Sequence, residues 1–263
     1  MEDKRNTVLT ERIAARWVHM HTALVLFFLI APIIAIMPLS FNSVSYFSYP
    51  LQGFSMRWYE QALTSPDWQR ALLNSLGIGA ASTLIATCLG TLAALGLSRA
   101  QFPWRSIIMP IIISPMIVPI VVVAAGFYLI FAPLGLVNSY PGVVITVTAS
   151  LLSFDQSLLR AASGLGATPW VAFRRVTLPL IMPAVATGSV FAFATSFDKV
   201  IVILFIGGPD QRTVPRQMWS GIRDSIDPSI LAVATMLIIF AVLLFASINW
   251  LRGRAAAANQ ALA

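Results

Sequence analysis

Few residues in this sequence are of types that do chemistry, so their spacing decides what they could do. The chain has one cysteine, two histidines and ten carboxylates. No glycine-rich loop ends in Lys-Ser or Lys-Thr, the phosphate cradle of an ATPase, so the chain does not itself hydrolyse ATP. There is no HExxH and no nucleophile elbow around a serine. His19 and His21 follow Arg16 by three and five residues. No second cluster completes a ligand set, so they read as interfacial histidines, and no metal or cofactor is expected. Cys88 sits in an apolar run and reads as a small core residue. What remains is one adjacent pair, Asp198 and Lys199, at the end of an apolar run. Ionisable groups at membrane depth are costly and mark solute or ion paths. The competing reading is an interfacial pair, with Lys199 snorkelling to the headgroups.

The elements that must position this pair follow from composition. Of 263 residues, 58% are hydrophobic and 10% charged, where a soluble domain carries about 25% charged residues. Mean hydropathy is +0.82 and the pI is near 10.3. This excludes disorder, a disulfide scaffold and a water-soluble domain, and points to an all-α, polytopic membrane protein. The net charge of +7 then belongs to basic cytoplasmic loops. Aromatic residues are spread along the chain with no nucleic-acid pattern.

Apolar runs of roughly 20 residues are span candidates. They lie at about 17–39, 71–97, 107–131, 134–152, 180–206 and 230–251. The second is rich in small residues, which let helices approach closely. The third is interrupted by Pro110, Pro115 and Pro119. The fourth is weak, with Asn138, Ser139, Tyr140 and Pro141 near its start. Six spans put both termini on one side. With the N-terminus inside, the inner segments hold Lys4, Arg5, Arg12, Arg16, Arg99, Arg105, Arg160, Arg174, Arg175, Arg252 and Arg254. The outer segments hold Arg57, Arg70, Lys199, Arg212, Arg216 and Arg223. That distribution favours both termini in the cytoplasm. The chain divides into a cytoplasmic segment 1–16, a first span with its outer loop 17–69, a core 70–251 and a cytoplasmic tail 252–263, within one transmembrane domain. The outer loop carries Trp58, Tyr59 and Trp68, and reads as a short interfacial helix with aromatic anchors in membrane lipid.

The inner loop carries the sharpest motif. Residues 155–183 read DQSLLRAASGLGATPWVAFRRVTLPLIMP. This resembles the cytoplasmic EAA loop of the inner-membrane permease subunits of ABC importers. That pattern is Glu-Ala-Ala, three residues, Gly, a spacer, then an aliphatic residue and Leu-Pro. The matching positions are Ala161, Ala162, Gly166, Val176, Leu178 and Pro179, and Arg160 stands where the pattern has Glu. Asn74-Ser75-Leu76 resembles the start of the permease core. The segment 114–119 resembles a further motif of the family. Ser196-Phe197-Asp198-Lys199, with Phe205, Gly207, Gly208 and Pro209, looks most like the spermidine/putrescine-type branch.

The resemblance implies a type I ABC importer permease fold of about six transmembrane helices with a cytoplasmic coupling helix, in the bacterial inner membrane. It implies a second permease, different from this one, two ATPase subunits and a periplasmic solute-binding protein. A short helix with Ala161, Ala162 and Gly164 on one face suits a groove on an ATPase. Gly166 allows a turn that a Cβ would resist, and Pro179 marks the entry to the fifth span. Arg160 implies either an acidic partner or a stronger contact through the second permease. Small residues in this loop also fit simple packing against neighbouring helices. For the path pair the resemblance implies acidic residues in polyamine permeases. Lys199 shifts the expectation toward a zwitterionic or anionic solute, so polyamine-like and amino-acid-derivative, opine-like solutes both stay open. Arg212, Arg216 and Arg223 are either a face for the binding protein or a solvated loop. Two rivals remain. A stand-alone secondary transporter calls for broken helices and acids in the spans, and a non-transporting scaffold recruits a cytoplasmic protein through the same loop.

Overall fold

In the computed structural model the described residues are 2–97, 105–114, 117–152, 178–224 and 228–261. They form ten helices: α1 (Glu2–Leu39), α2 (Arg57–Thr64), α3 (Pro66–Leu97), α4 (Arg105–Ile113), α5 (Ile120–Phe131), α6 (Tyr140–Leu152), α7 (Leu178–Ser196), α8 (Val200–Ile206), α9 (Val214–Asp224) and α10 (Ser229–Ala261). One isolated antiparallel bridge joins Asn42 to Phe54. Helix dominates because hydrocarbon offers backbone groups no partners, and a helix satisfies its own.

Three helices are long and apolar enough to cross a membrane: Ala15–Leu39, Pro66–Gly96 and Ser229–Ser247. A fourth crossing appears if α7 and α8 count as one span, bent by 62°. The remaining expected spans are interrupted or short. The third run is two helices, α4 and α5, with the proline-bearing segment 114–119 between them. Proline removes a donor and clashes with the preceding turn, so a helix ends there. The fourth run contributes only α6, 13 residues or about 20 Å, against a hydrocarbon thickness of about 30 Å. Its start is set by a turn in which Gly135 and Asn138 take φ of 67° and 59°. That left-handed conformation favours Gly and Asn.

The contacts fall into two units. The first holds residues 1–62 and 226–237. Here the membrane-crossing part of α1 has no buried residue within the chain. The loop after α1 folds back on itself. The Trp58 indole donates to the Asn42 carbonyl at 2.7 Å, and Phe41 stacks on Phe54 at 5.1 Å. The Arg57 guanidinium lies 4.1 Å above the Trp58 ring. Tyr46, Phe47 and Tyr49 stay exposed, as an interfacial aromatic belt requires.

The second unit holds 63–225 and 238–263. There α6 and α7 pack on α3. Ile78 and Ala86 of α3, Val143 and Val147 of α6, Ala192 of α7 and Val202 of α8 share one buried cluster. Ser82 reaches across from α3 to the Val144 carbonyl of α6. Thr146, Ser150, Ser189, Thr195 and Ser196 each bond a carbonyl of their own helix, the usual way a span hides a hydroxyl. Cys88, expected in the core, is instead exposed. It lies four residues from exposed Leu84 and Leu92, on the outward face of α3.

Gly142 opens α6 where the turn doubles back. A Cβ there would run into the Leu136 carbonyl, and backbone cannot give way as a side-chain tip does. Gly142→Val is expected to cost about 1–3 kcal/mol through overpacking and to lower the melting temperature of the purified protein. An unchanged melting temperature would contradict this packing.

Candidate functional site

Two features of the second unit position polar groups: the break in the bent span, and a network that ties down the loop beyond it. The break is Phe197–Lys199, between α7 and α8. Its amides are held by short turns, Phe197 to the Ala194 carbonyl, Asp198 to Thr195 and Lys199 to Ser196, at 3.1–3.4 Å. The Lys199 carbonyl then accepts from Ile203 and starts α8. Asp198 is exposed and Lys199 half-buried. Phe193 and Phe197 meet edge to face at 5.4 Å, and both lie within 6.4 Å of the Phe240 ring of α10. On the α3 side, a Cβ at Gly79 would lie 2.7 Å from the Ser196 hydroxyl and 3.2 Å from the Phe193 ring, so a larger residue there would make these side chains shift at the break. The acid–base pair directly follows the last residue of α7, and the seven residues of α8, about 10 Å, complete the apolar run.

Beyond α8 the chain is gripped by residues from three helices. Asn74 of α3 is buried, and its amide donates to the carbonyls of Asp210 at 2.7 Å and Arg212 at 2.9 Å. The Tyr140 hydroxyl lies 3.0 Å from the Asn74 carbonyl oxygen and 3.1 Å from the Asp210 carbonyl, two acceptors for its one proton. The Ser75 hydroxyl accepts the amide of Val214, the first residue of α9, at 2.8 Å. The Gly208 amide donates to the Gln211 side chain at 2.9 Å. The Gly208 carbonyl accepts from Arg216 at 2.8 Å. The Asn138 amide donates to the Ile206 carbonyl at 2.8 Å. The loop 207–213 is thus fixed to α3, to the start of α6 and to α9 through hydrogen bonds of side chains and backbone.

Of the sequence-named residues, Arg160, Ala161, Ala162, Gly164 and Gly166 lie outside the described residues. Pro179 is the second residue of α7, where a missing amide proton does no harm. The two segments that open and close the core motif, Asn74-Ser75 and Gly207-Gly208, are brought into one network. Among the described residues no cluster of His, Cys, Asp and Glu has metal-site geometry, and His19 bonds the Ala15 carbonyl of its own helix.

Residues 86–256 match the family described as "Binding-protein-dependent transport system inner membrane component". The chain belongs to this permease family. Among similar proteins, the spermidine/putrescine transport system permease protein PotC of Escherichia coli (strain K12) is 32% identical over 229 residues, covering 82% of this chain and 86% of its own. The putrescine transport system permease protein PotI of the same organism is 31% identical over 230 residues, covering 80% and 82%. The molybdenum transport system permease protein ModB of Mycobacterium bovis is 29% identical over 232 residues, covering 76% and 87%. Among solved structures, a bacterial ABC transporter involved in alginate import matches with a TM-score of 0.67 at 16% identity, over 91% of this chain and 96% of that one. The fold is therefore that of a type I ABC importer permease, and the chain is a multi-pass inner-membrane permease subunit of an ABC importer. Its part is that of a transporter component.

In this permease, sequence reasoning missed Tyr140, Gln211 and Arg216 as parts of the network around the loop 207–213. Tyr140 was visible only as an interruption of an apolar run. The signal was its place beside Asn138, a residue that tolerates left-handed turns. The network rests on Asn74. Asn74→Leu keeps the branched shape but leaves the Arg212 carbonyl without its donor and the Asp210 carbonyl with only the Tyr140 hydroxyl, a loss of about 1–3 kcal/mol. Amide exchange over 207–214 is expected to speed up accordingly. Unchanged protection there would show that the loop is held by something else.

Proposed function

We propose that this permease moves a small amine-bearing solute, polyamine-like or an amino-acid derivative of opine type, across the inner membrane. The solute is delivered by a periplasmic binding protein, and the path passes Asp198 and Lys199. The observation that carries this reading is the bent span: an exposed carboxylate beside an ammonium group, at a helix break of 62°. Ionisable groups within a span are functional by default, and broken helices gather polar groups at membrane depth. The names of the polyamine permease relatives support an amine-bearing solute. The adjacent Lys199 supports a solute that also offers a carboxylate. The residues 1–263 act as one permease domain, with both termini cytoplasmic.

The engine lies on other chains. A second, different permease completes the pathway, and two ATPase subunits supply the ATP hydrolysis. They dock on the loop holding Arg160, Ala161, Ala162, Gly164 and Gly166, which leads through Pro179 into α7. ATP-driven closure of the ATPases moves this loop, and the spans shift between inward-open and outward-open populations.

The test uses the assembled transporter in nanodiscs with its binding protein. Gly166→Trp is expected to leave membrane insertion intact and to reduce solute-stimulated ATP hydrolysis by roughly tenfold or more, the scale of a typical coupling free energy. Normal stimulation in this variant would remove the loop from the coupling path.

A further inference from the structure

Positive charge gathers at the start of α9, and among the described residues no carboxylate pairs with it. The N-terminal end of a helix carries a partial positive charge and favours anions. The first turn of α9 has no acidic residue. It carries Arg216 instead, and Arg212 stands two residues before the helix. Both side chains are half-buried. The Arg216 guanidinium donates to the Gly208 carbonyl at 2.8 Å, and Arg212 reaches the Gln217 side chain only at 3.4 Å. Burial, and then the nearby charge of Arg212, lower the pKa of Arg216 from its ordinary value. Among the described residues neither guanidinium has a carboxylate partner. The acid of this loop, Asp210, faces Arg70 at 3.9 Å, between exposed side chains.

The first-turn amides add to the imbalance, because they have no partners within the helix. Ser75 takes the amide of Val214, Pro215 has none, and that of Gln217 goes to the Thr213 carbonyl. Among the described residues no backbone carbonyl takes the amide of Arg216. Thr213, in the capping position, is 3% exposed, and its hydroxyl is buried with no partner. A threonine there ordinarily accepts a first-turn amide. The Asn74 and Ser75 bonds hold this whole arrangement on α3, so the charges are presented by a fixed frame.

We infer that Arg212, Arg216 and the N-terminal end of α9 form a carboxylate-receiving site whose occupant is an acidic side chain of the solute-binding protein. Two guanidinium forks match a carboxylate bidentately, and the helix end adds attraction of the same sign. The family is binding-protein-dependent by description. The inference rests on the proposed topology, which puts the loop between α8 and α10 on the outer face. Arg223, in the last turn of α9, is separate. A cation at a helix C-terminus is already favourably placed and needs no anion.

The experiment uses the assembled transporter in nanodiscs and its binding protein, with and without solute, as the probe. Arg212→Gln leaves the Gly208 contact in place. It is expected to weaken docking of both forms of the binding protein by about tenfold, and to flatten the salt dependence. Arg212→Lys restores part of the affinity, and Arg223→Gln changes it less than about twofold, since rim charges contribute little. Unchanged docking of Arg212→Gln overturns the proposal. So does equal weakening by Arg223→Gln, which would mean a diffuse charged surface. Weakening of the solute-loaded form alone overturns it too, since the carboxylate would then be the solute's. Arg223→Cys, in a Cys88→Ser background, separates the topology from the site. Labelling in intact cells by a membrane-impermeant thiol reagent supports the outer placement. Labelling only after the cytoplasmic face is opened sinks the topology, and the proposed occupant with it.

Discussion

Inside a bilayer no solvent completes a hydrogen bond, and this constraint shapes the rest of the structure. It makes the described chain almost wholly helical. It also turns most hydroxyls of α6 and α7 back onto carbonyls of their own helices. Departures from helix are therefore few and local. At Phe197–Lys199 three amides find carbonyls through tightened turns. At 132–139 a turn with two left-handed residues leads into α6. Thr83, Thr87 and Thr91, one turn apart along α3, are the exception. Their buried hydroxyls have no partner, and neither has that of Thr148 on α6.

The broken span gives these details a mechanical sense. The segment from α7 to α9 begins beside the loop proposed to meet the ATPases, and it ends in the network held by Asn74 and Ser75. A displacement at the start of α7 is opposed at one end by a fixed loop. The break between α7 and α8 is where the chain between them has least helical stiffness. Gly79 lets α7 lie close at that point, and the Phe193–Phe197–Phe240 cluster packs around it. In the proposed reading the solute passes where the chain is both polar and able to bend.

Much of this was legible in the residues, because a membrane simplifies the code. Length and hydropathy alone placed α1, α3 and α10. The Ala161–Pro179 spacing pointed to the permease family before any contact was known. What stayed hidden depended on three-dimensional pairing. Pro115 and Pro119 warned of an interruption, but not that α4 and α5 would be separate helices. Asp198 and Lys199 were legible as a pair, but the bend of 62° at which they sit was not, because hydropathy does not register a bend. Cys88 was misplaced because an apolar run does not show which face of α3 packs on α6 and α7 and which points outward. Tyr140 and Arg216 act on residues some seventy and eight positions away, which no local pattern reveals. Broken helices had been read as a requirement of a secondary transporter. The bent span occurs in an ABC permease all the same, so the feature does not identify the source of energy.

The central claim is that the α7–α8 break lies on the solute path. The direct measurement is the rate at which a charged, membrane-impermeant thiol reagent modifies Asp198→Cys in a Cys88→Ser background, in the assembled transporter. The account predicts rapid modification that is slowed by the transported solute and altered when ATP is supplied. Modification by a lipid-soluble maleimide alone, indifferent to solute and ATP, would place the break against lipid and contradict it.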